Sequence, residues 1–346
     1  MSANALSPVG EKTSRYPQLA KQIRDAGLLR RRPWYYAWRI SATVAAYAAA
    51  WAVFVLVGDS WWQLFTAAAM AVTFMQFGFL GHDAGHQQIF GSRRGNSIVG
   101  YLLGNLGLGL SFGWWSDKHT RHHANPNVEG RDPDLNVDPV AFTDAQAARS
   151  RGIGKQIVRF QAALFIPLLF LEAFHMHFNS LRRIVNRNRP IRARGLEAVL
   201  FTVHVVAYLG IVFTVLSPGT AVVFIFVHQG LLGVYMGASF APNHKGMPVL
   251  TDGEQADFLL RQVLTARNID GGRFVDAALG GLNYQIEHHL FPHMPRPNLR
   301  QAQPVVRQFC AEHDIAYCQT SMFGSWGRVL GHLHDMGRDI RNPGSP

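Results

Sequence analysis

Five stretches of this chain stay apolar for about twenty residues at a time, at about 35–57, 61–81, 157–178, 196–216 and 219–240. A hydrocarbon layer about 30 Å thick is crossed by roughly 20 helical residues rising 1.5 Å each. In lipid every backbone N–H and C=O must find its partner inside the segment, so such stretches form helices. The chain is therefore expected to be an all-α integral membrane protein. Its composition agrees: 48% of residues are hydrophobic and only 16% are charged, against about 25% charged in soluble domains. A sixth stretch, 97–113 (SIVGYLLGNLGLGLSFG), is shorter and glycine-rich and reads as interfacial.

The net charge of +11, mostly arginine, constrains how the segments are threaded. Basic residues gather on the cytoplasmic side of a membrane, so the basic lead over 1–34 is expected inside. The first two segments then cross out and back. Segment 157–178 is flanked by Arg149, Arg151, Lys155 and Arg159 before it, and by Arg182, Arg183, Arg187, Arg192 and Arg194 after it. If it crossed, one basic cluster would face outward, so it is expected to lie in or dip into the cytoplasmic interface. Segments 196–216 and 219–240 close a second hairpin. Four spanning helices result, with both termini cytoplasmic and a cytoplasmic helical cap built from 82–195 and 241–346. The charge suits anionic lipid headgroups and acidic partners; with this many long apolar segments, nucleic acid is not an expected partner. Two cysteines, Cys310 and Cys318, form no CxxC pair and no disulfide framework, which suits a reducing compartment.

Against this background the placement of sixteen histidines is informative. His82 and His86 end the second segment in GHDAGH. His119, His122 and His123 follow in HTRHH, and Gln285, His288 and His289 in QIEHH. Spacings of three and four residues put side chains on one helical face. The topology above brings all three clusters to one side of the membrane. Imidazole suits iron, zinc, copper and nickel. Seven histidines exceed the four ligands that close a zinc site, so two metal ions sharing about eight nitrogens are expected. A metal-bound imidazole usually passes its second N–H to a carboxylate or carbonyl, and Asp83 and Glu287 are the carboxylates expected to receive it. Trp114 and Trp115 are expected at a substrate entrance or as interfacial anchors. Lys118, Arg182 and Arg183 are the basic candidates for a polar substrate head. Asp132 and Asp134 in GRDPDL read as a turn.

The strings HDAGH, HTRHH and QIEHH resemble the boxes HxxxH, HxxHH and QxxHH of the integral-membrane fatty-acid desaturases. The resemblance covers about 35–310, including box order and the pattern of apolar segments. GGLNYQIEHHLFP is similar to the branch holding front-end desaturases and bacterial acyl-CoA desaturases. The resemblance implies a membrane desaturase domain over 35–310, preceded by a basic segment (1–34) and followed by a cytoplasmic tail (311–346). It also implies a di-iron centre, with O2 as co-substrate and electrons from outside the chain. Members of the family usually supply a further histidine after the last spanning helix, and His244 in APNHKG answers to it. Gln285 or a water would complete the metal shell.

No HPGG haem motif, no GxGxxG opening a βαβ unit and no iron–sulfur cysteine set is present. A separate ferredoxin, flavin reductase or cytochrome-type donor is thus expected as partner, beside the bilayer and the lipid substrate. The expected substrate is a saturated long-chain acyl-CoA, desaturated near the chain middle in a bacterial inner membrane; an acyl-lipid and front-end insertion are the alternatives. A membrane hydroxylase or ketolase on the same scaffold, a zinc-dependent lipid hydrolase and a non-catalytic carrier are the rival readings.

Overall fold

The computed structural model describes residues 14–251 and 257–342. Their regular structure is almost entirely helical. In chain order the helices are α1 (Tyr16–Asp25), α2 (Pro33–Val57), α3 (Gln63–Gly85) and α4 (Arg93–Gly100), which runs on into a π-helical stretch (Tyr101–Leu108). Then come α5 (Phe112–Ala124), α6 (Asp144–Arg149), α7 (Gly152–Leu169), α8 (Glu172–Val185), α9 (Arg194–Val215) and α10 (Pro218–His244). The remainder is α11 (Phe258–Leu264), β1 (Asn268–Ile269), α12 (Arg273–Ala278), α13 (Gln285–Leu290), α14 (Arg296–Glu312), β2 (Gln319–Thr320), α15 (Met322–Met336) and α16 (Arg338–Arg341). They divide into two compact units. One draws on residues 31–118 and 166–238, the other on the described parts of 1–30, 119–165 and 239–346.

In the first unit, α2, α3, α9 and α10 are long and apolar enough to cross a membrane. Their outer faces carry exposed Val44, Val55, Leu56, Val199, Val206, Phe213, Val222 and Phe226. Such continuous apolar surface is stable against acyl chains and not against water. The α2–α3 hairpin is closed by Gln63, whose amide Nε2 donates to the carbonyls of Phe54 (2.7 Å) and Gly58 (2.9 Å). These are α2 C-terminal carbonyls with no partner within the helix. Tyr208 of α9 and His228 of α10 bond across the second hairpin at 2.8 Å.

The 97–113 stretch is a broken path, not a single helix. The π-helical stretch ends at Gly109, whose φ of +73° is left-handed, a conformation that glycine adopts without steric cost. A Cβ there would come within 2.6 Å of His204 Nε2. Buried Glu197 joins the pieces. It accepts from Ser111 Oγ (2.5 Å), Asn105 Nδ2 (3.2 Å) and the Gly113 amide (3.3 Å), so a carboxylate sits at the α5 N-terminus, where the helix dipole favours negative charge.

Segment 157–178, expected to lie in or dip into the interface, is not one continuous helix. It breaks between α7 and α8, which are bent 78° apart. The break rests on glycines of α10: a Cβ at Gly233 would lie 2.4 Å from the Leu169 carbonyl oxygen, and one at Gly237 would lie 2.4 Å from Leu169 Cδ2. Small residues permit this close backbone approach between helices.

The second unit has its core in Leu19 and Ile23 of α1, Leu259 and Val263 of α11, Ile286 and Leu290 of α13, and Leu299, Val306 and Phe309 of α14. The N-terminal segment is therefore structural as far as it is described, its first 13 residues lying outside the described part. Tyr16 donates to the Leu290 carbonyl at 3.0 Å and stacks on Phe291, and Asn298 holds the carbonyls of Leu28 and Arg30. The stretch expected as a tail from 311 is also part of this unit: β2 pairs in parallel with β1, and α15 sends Ser325 to the Pro242 carbonyl at 2.5 Å. Two-residue strands leave no alternation for sequence to reveal, so the boundary at 311 cuts through a folded body.

Candidate metal centre

His119, His122 and His123 lie in the last turns of α5, His244 ends α10, and Gln285, His288 and His289 lie on α13. The second unit brings all six of these histidines together in two groups. In one, His123 Nε2 lies 3.1 Å from both His119 Nε2 and His288 Nε2. In the other, His122, His244 and His289 are all buried and offer ring nitrogens within 4.8 Å of one another. Each HH doublet therefore divides between the groups. Successive helical residues are 100° apart, and the paired rings stand at 86° (His122 and His123) and 89° (His288 and His289).

The second group has a fixed tautomer. His122 Nδ1 is 3.0 Å from Asp132 Oδ1, His244 Nδ1 is 3.0 Å from the Thr265 carbonyl, and His289 Nδ1 is 3.0 Å from Gln262 Oε1. Each partner only accepts, so each Nδ1 carries the proton and each Nε2 carries the lone pair. Three inward lone pairs with anchored outer nitrogens are the donor set of a transition-metal site. Asp132 is itself held by the amides of Asn127 and Asp134, both at 2.8 Å. Burial opposes charge on His122, but the carboxylates of Asp132 and Asp134 outweigh it and raise the imidazole above its usual range. This corner therefore favours a cation.

Asp132 was legible in the sequence only as a turn residue, and Gln262 and Thr265 carried no signal at all. Glu287 departs from its expected role. Its carboxylate accepts from Asn268 Nδ2 and the Tyr317 hydroxyl, both at 2.7 Å, and takes no imidazole N–H among its hydrogen bonds. At about 100° per residue, Glu287 stands about 160° round α13 from Gln285 and His289 and about 100° from His288. Burial pushes Glu287 up to about 6 against the pull of those two bonds. Gln285 lies beside the second group, with Nε2 2.9 Å from His244 Nε2. Its Oε1 accepts from Asn243 Nδ2 at 3.2 Å.

In the membrane unit, His82 lies in the last turn of α3 and His86 caps its end, with ring centroids 4.7 Å apart, and Trp115 stands 5.5 Å from His82. Gly85 makes room for that indole, since a Cβ there would meet it at 2.7 Å. Asp83 is buried 3.6 Å from His82 Nδ1, too far for a hydrogen bond. Trp114 and Lys118 are half-buried and Arg182 is exposed. Arg183 reaches Asp117 and the Pro190 carbonyl, both at 3.3 Å.

The sequence model for the fatty acid desaturase family matches residues 59–321. The chain belongs to the fatty acid desaturase family. An acyl-lipid (9-3)-desaturase of Physcomitrium patens is 32% identical over 94% of this chain and 64% of its own length. A Delta(8)-fatty-acid desaturase of Euglena gracilis is 30% identical over 89% of this chain and 75% of its own length. The Delta(6)-fatty-acid desaturase fat-3 of Caenorhabditis elegans is 28% identical over 99% and 79%. This desaturase-family chain thus spans just under two thirds of the moss relative. These three relatives are all eukaryotic, so they lend no weight to the expected bacterial origin.

Proposed function

We propose that this chain introduces a double bond into a long-chain fatty acyl group, using a pair of iron ions, O2 and two electrons from a separate carrier. Two hydrogens leave adjacent methylenes, and with O2, two electrons and two protons the balance closes as an alkene and two waters. The ligands on this reading are His82, His86, His119, His122, His123, His244, His288 and His289. His82 and His86 enter through the box pattern. Gln285 or a water would complete the shell.

The observation that carries the proposal is the division of both HH doublets between two imidazole groups, with three Nδ1 atoms fixed on oxygen acceptors. Bound iron would supply the C–H reactivity that no side chain here possesses. The protein's own part is to fix Nε2 lone pairs through Asp132, Thr265 and Gln262, and to keep the site dry. Trp114 and Trp115 would border the acyl chain, and Lys118, Arg182 and Arg183 would attract its polar head. The basic side, taken as cytoplasmic, would dock an acidic ferredoxin, flavin reductase or cytochrome-type donor. The relatives' names support an acyl-lipid substrate and front-end insertion over the middle-of-chain acyl-CoA reading.

The test is expression, with a reductase supplied, in a host lacking unsaturated fatty acids, followed by mass analysis of its lipids. New alkenes that vanish in the His122→Ala, His123→Ala double variant are expected. Alcohols would instead identify a hydroxylase. One zinc per chain with hydrolysed lipid, or lipids that the double variant leaves unchanged, would overturn the proposal.

A further inference from the structure

The sequence motifs account for the candidate ligands but not for what holds them in register. Two ligand carriers of the second unit, α5 and α13, are far apart in the chain. Between them runs a segment without any box residue, α11 and β1, and its polar groups reach both. Gln262 is fully buried. Its Oε1 accepts from His289 Nδ1 at 3.0 Å, and its Nε2 donates to the His123 carbonyl at 3.1 Å. Three residues on, the Thr265 carbonyl accepts from His244 Nδ1. At Asn268, Oδ1 accepts from the Ile286 amide at 2.9 Å, next to box three.

We infer that Gln262 is a positioning residue of the metal centre, coupling box two to box three; the inference rests on the metal-centre reading above. Neither end of its amide can be exchanged. A carbonyl oxygen only accepts, so the Gln262 nitrogen must face His123 and its oxygen must face His289. His289 is thereby held as the Nδ1–H tautomer with Nε2 as the lone-pair nitrogen. The same side chain ties down the backbone of His123, a member of the other imidazole group. One neutral amide thus fixes a ring in one group and a main-chain position in the other. A carboxylate could hold His289 but would set a second acceptor against the His123 carbonyl, which explains why an amide and not an acid stands here.

The test compares Gln262→Met with Gln161→Met. Gln161 is another fully buried glutamine of this unit, and it bonds Ala141 and the Leu333 carbonyl, outside the histidine groups. Both variants lose a buried amide, so both report the packing cost. Iron affinity of the purified protein, read by competition with a graded chelator, is expected to weaken about 10–100-fold in Gln262→Met, while Gln161→Met stays within about threefold. Equal losses in the two variants, or none in Gln262→Met, would overturn the inference. If Gln262→Met does not fold, 15N NMR of metal-free wild-type protein decides by itself. His289 protonated on Nδ1 sustains the inference, and His289 protonated on Nε2 ends it. That readout needs no bound metal, so a wild-type chain that binds no iron would defeat the functional proposal separately.

Discussion

Replacing Asp132 by Asn should loosen metal binding at His122 more than it harms the fold. The Asp132 carboxylate is fully buried. It takes the Asp134 amide on Oδ1, the Asn127 amide on Oδ2, and the His122 imidazole at 3.0 and 3.1 Å across both. An Asn must turn its NH2 group toward one of the two backbone donors. The Asp134 amide is the less buried, so the NH2 goes there and water takes over part of the lost bond. His122 then keeps one neutral acceptor. Losing a hydrogen bond to a charged group costs about 1.5–3 kcal/mol, a modest share of a stability of about 5–15 kcal/mol. Weakening the partner of a ligating imidazole costs about 10–100-fold in metal affinity, about 1.4–2.8 kcal/mol. Asp132→Ala, which strips all three donors, should fold poorly and is the wrong variant to choose. Chelator competition and thermal unfolding in detergent, run on the same Asp132→Asn preparation, separate the two effects. Iron affinity within about threefold of wild type, together with a lowered unfolding temperature, would mean that Asp132 only braces the turn and would refute the reasoning.

Further expectations follow from the same geometry. His123→Ala or His288→Ala should lower the bound iron from about two per chain toward one, as should His122→Ala or His289→Ala; loss of all iron in every single variant would contradict two separable groups. Gly233→Val should destabilise the membrane unit by about 1–3 kcal/mol or more, because its side chain would strike the Leu169 carbonyl at the α7–α8 break, whereas Gly210→Ala, with open space at its Cβ, should unfold like wild type. Tyr317→Phe should cost about 1.5–3 kcal/mol by removing a donor from the Glu287 carboxylate, measured by thermal unfolding; no change would deny residues after 311 a place in the folded unit. Cys310 is buried and burial pushes its thiol up to about 12, so its thiolate is scarce at pH 8 and iodoacetamide should leave it unmodified in the folded protein, as peptide mass mapping would reveal.

What the sequence disclosed and what it hid divide by range. Spans of about twenty apolar residues and imidazoles three or four apart are local patterns, and α2, α3, α9, α10 and the gathering of His119, His122 and His123 with His288 and His289 were legible for that reason. Asp132 was half legible: DPD does form a turn, but its side chain points back ten residues to His122. Gln262 lies 27 residues from His289 and 139 from His123, and no periodicity joins them. Thr265 acts through its backbone carbonyl, which any residue would supply. Glu287 was misread because adjacency in sequence was taken for adjacency in space: its carboxylate goes to Asn268 and Tyr317.

The adjacent histidines of QIEHH and HTRHH have a mechanical consequence. Residues three or four apart on a helix converge, so a helix bearing only that spacing serves one centre. Neighbouring residues diverge by about 100°, so a doublet serves two centres that are necessarily close. In this chain the two doublets interleave: the His123 ring lies 4.8 Å from His288 and stacks on His289 at 4.1 Å, and the His122 ring lies 5.1 Å from His289. The separation of two ions would then be set by helix geometry and not by loop conformation. It would be held by neutral amides and backbone carbonyls as well as by the Asp132 carboxylate, which limits the negative charge placed beside the metals.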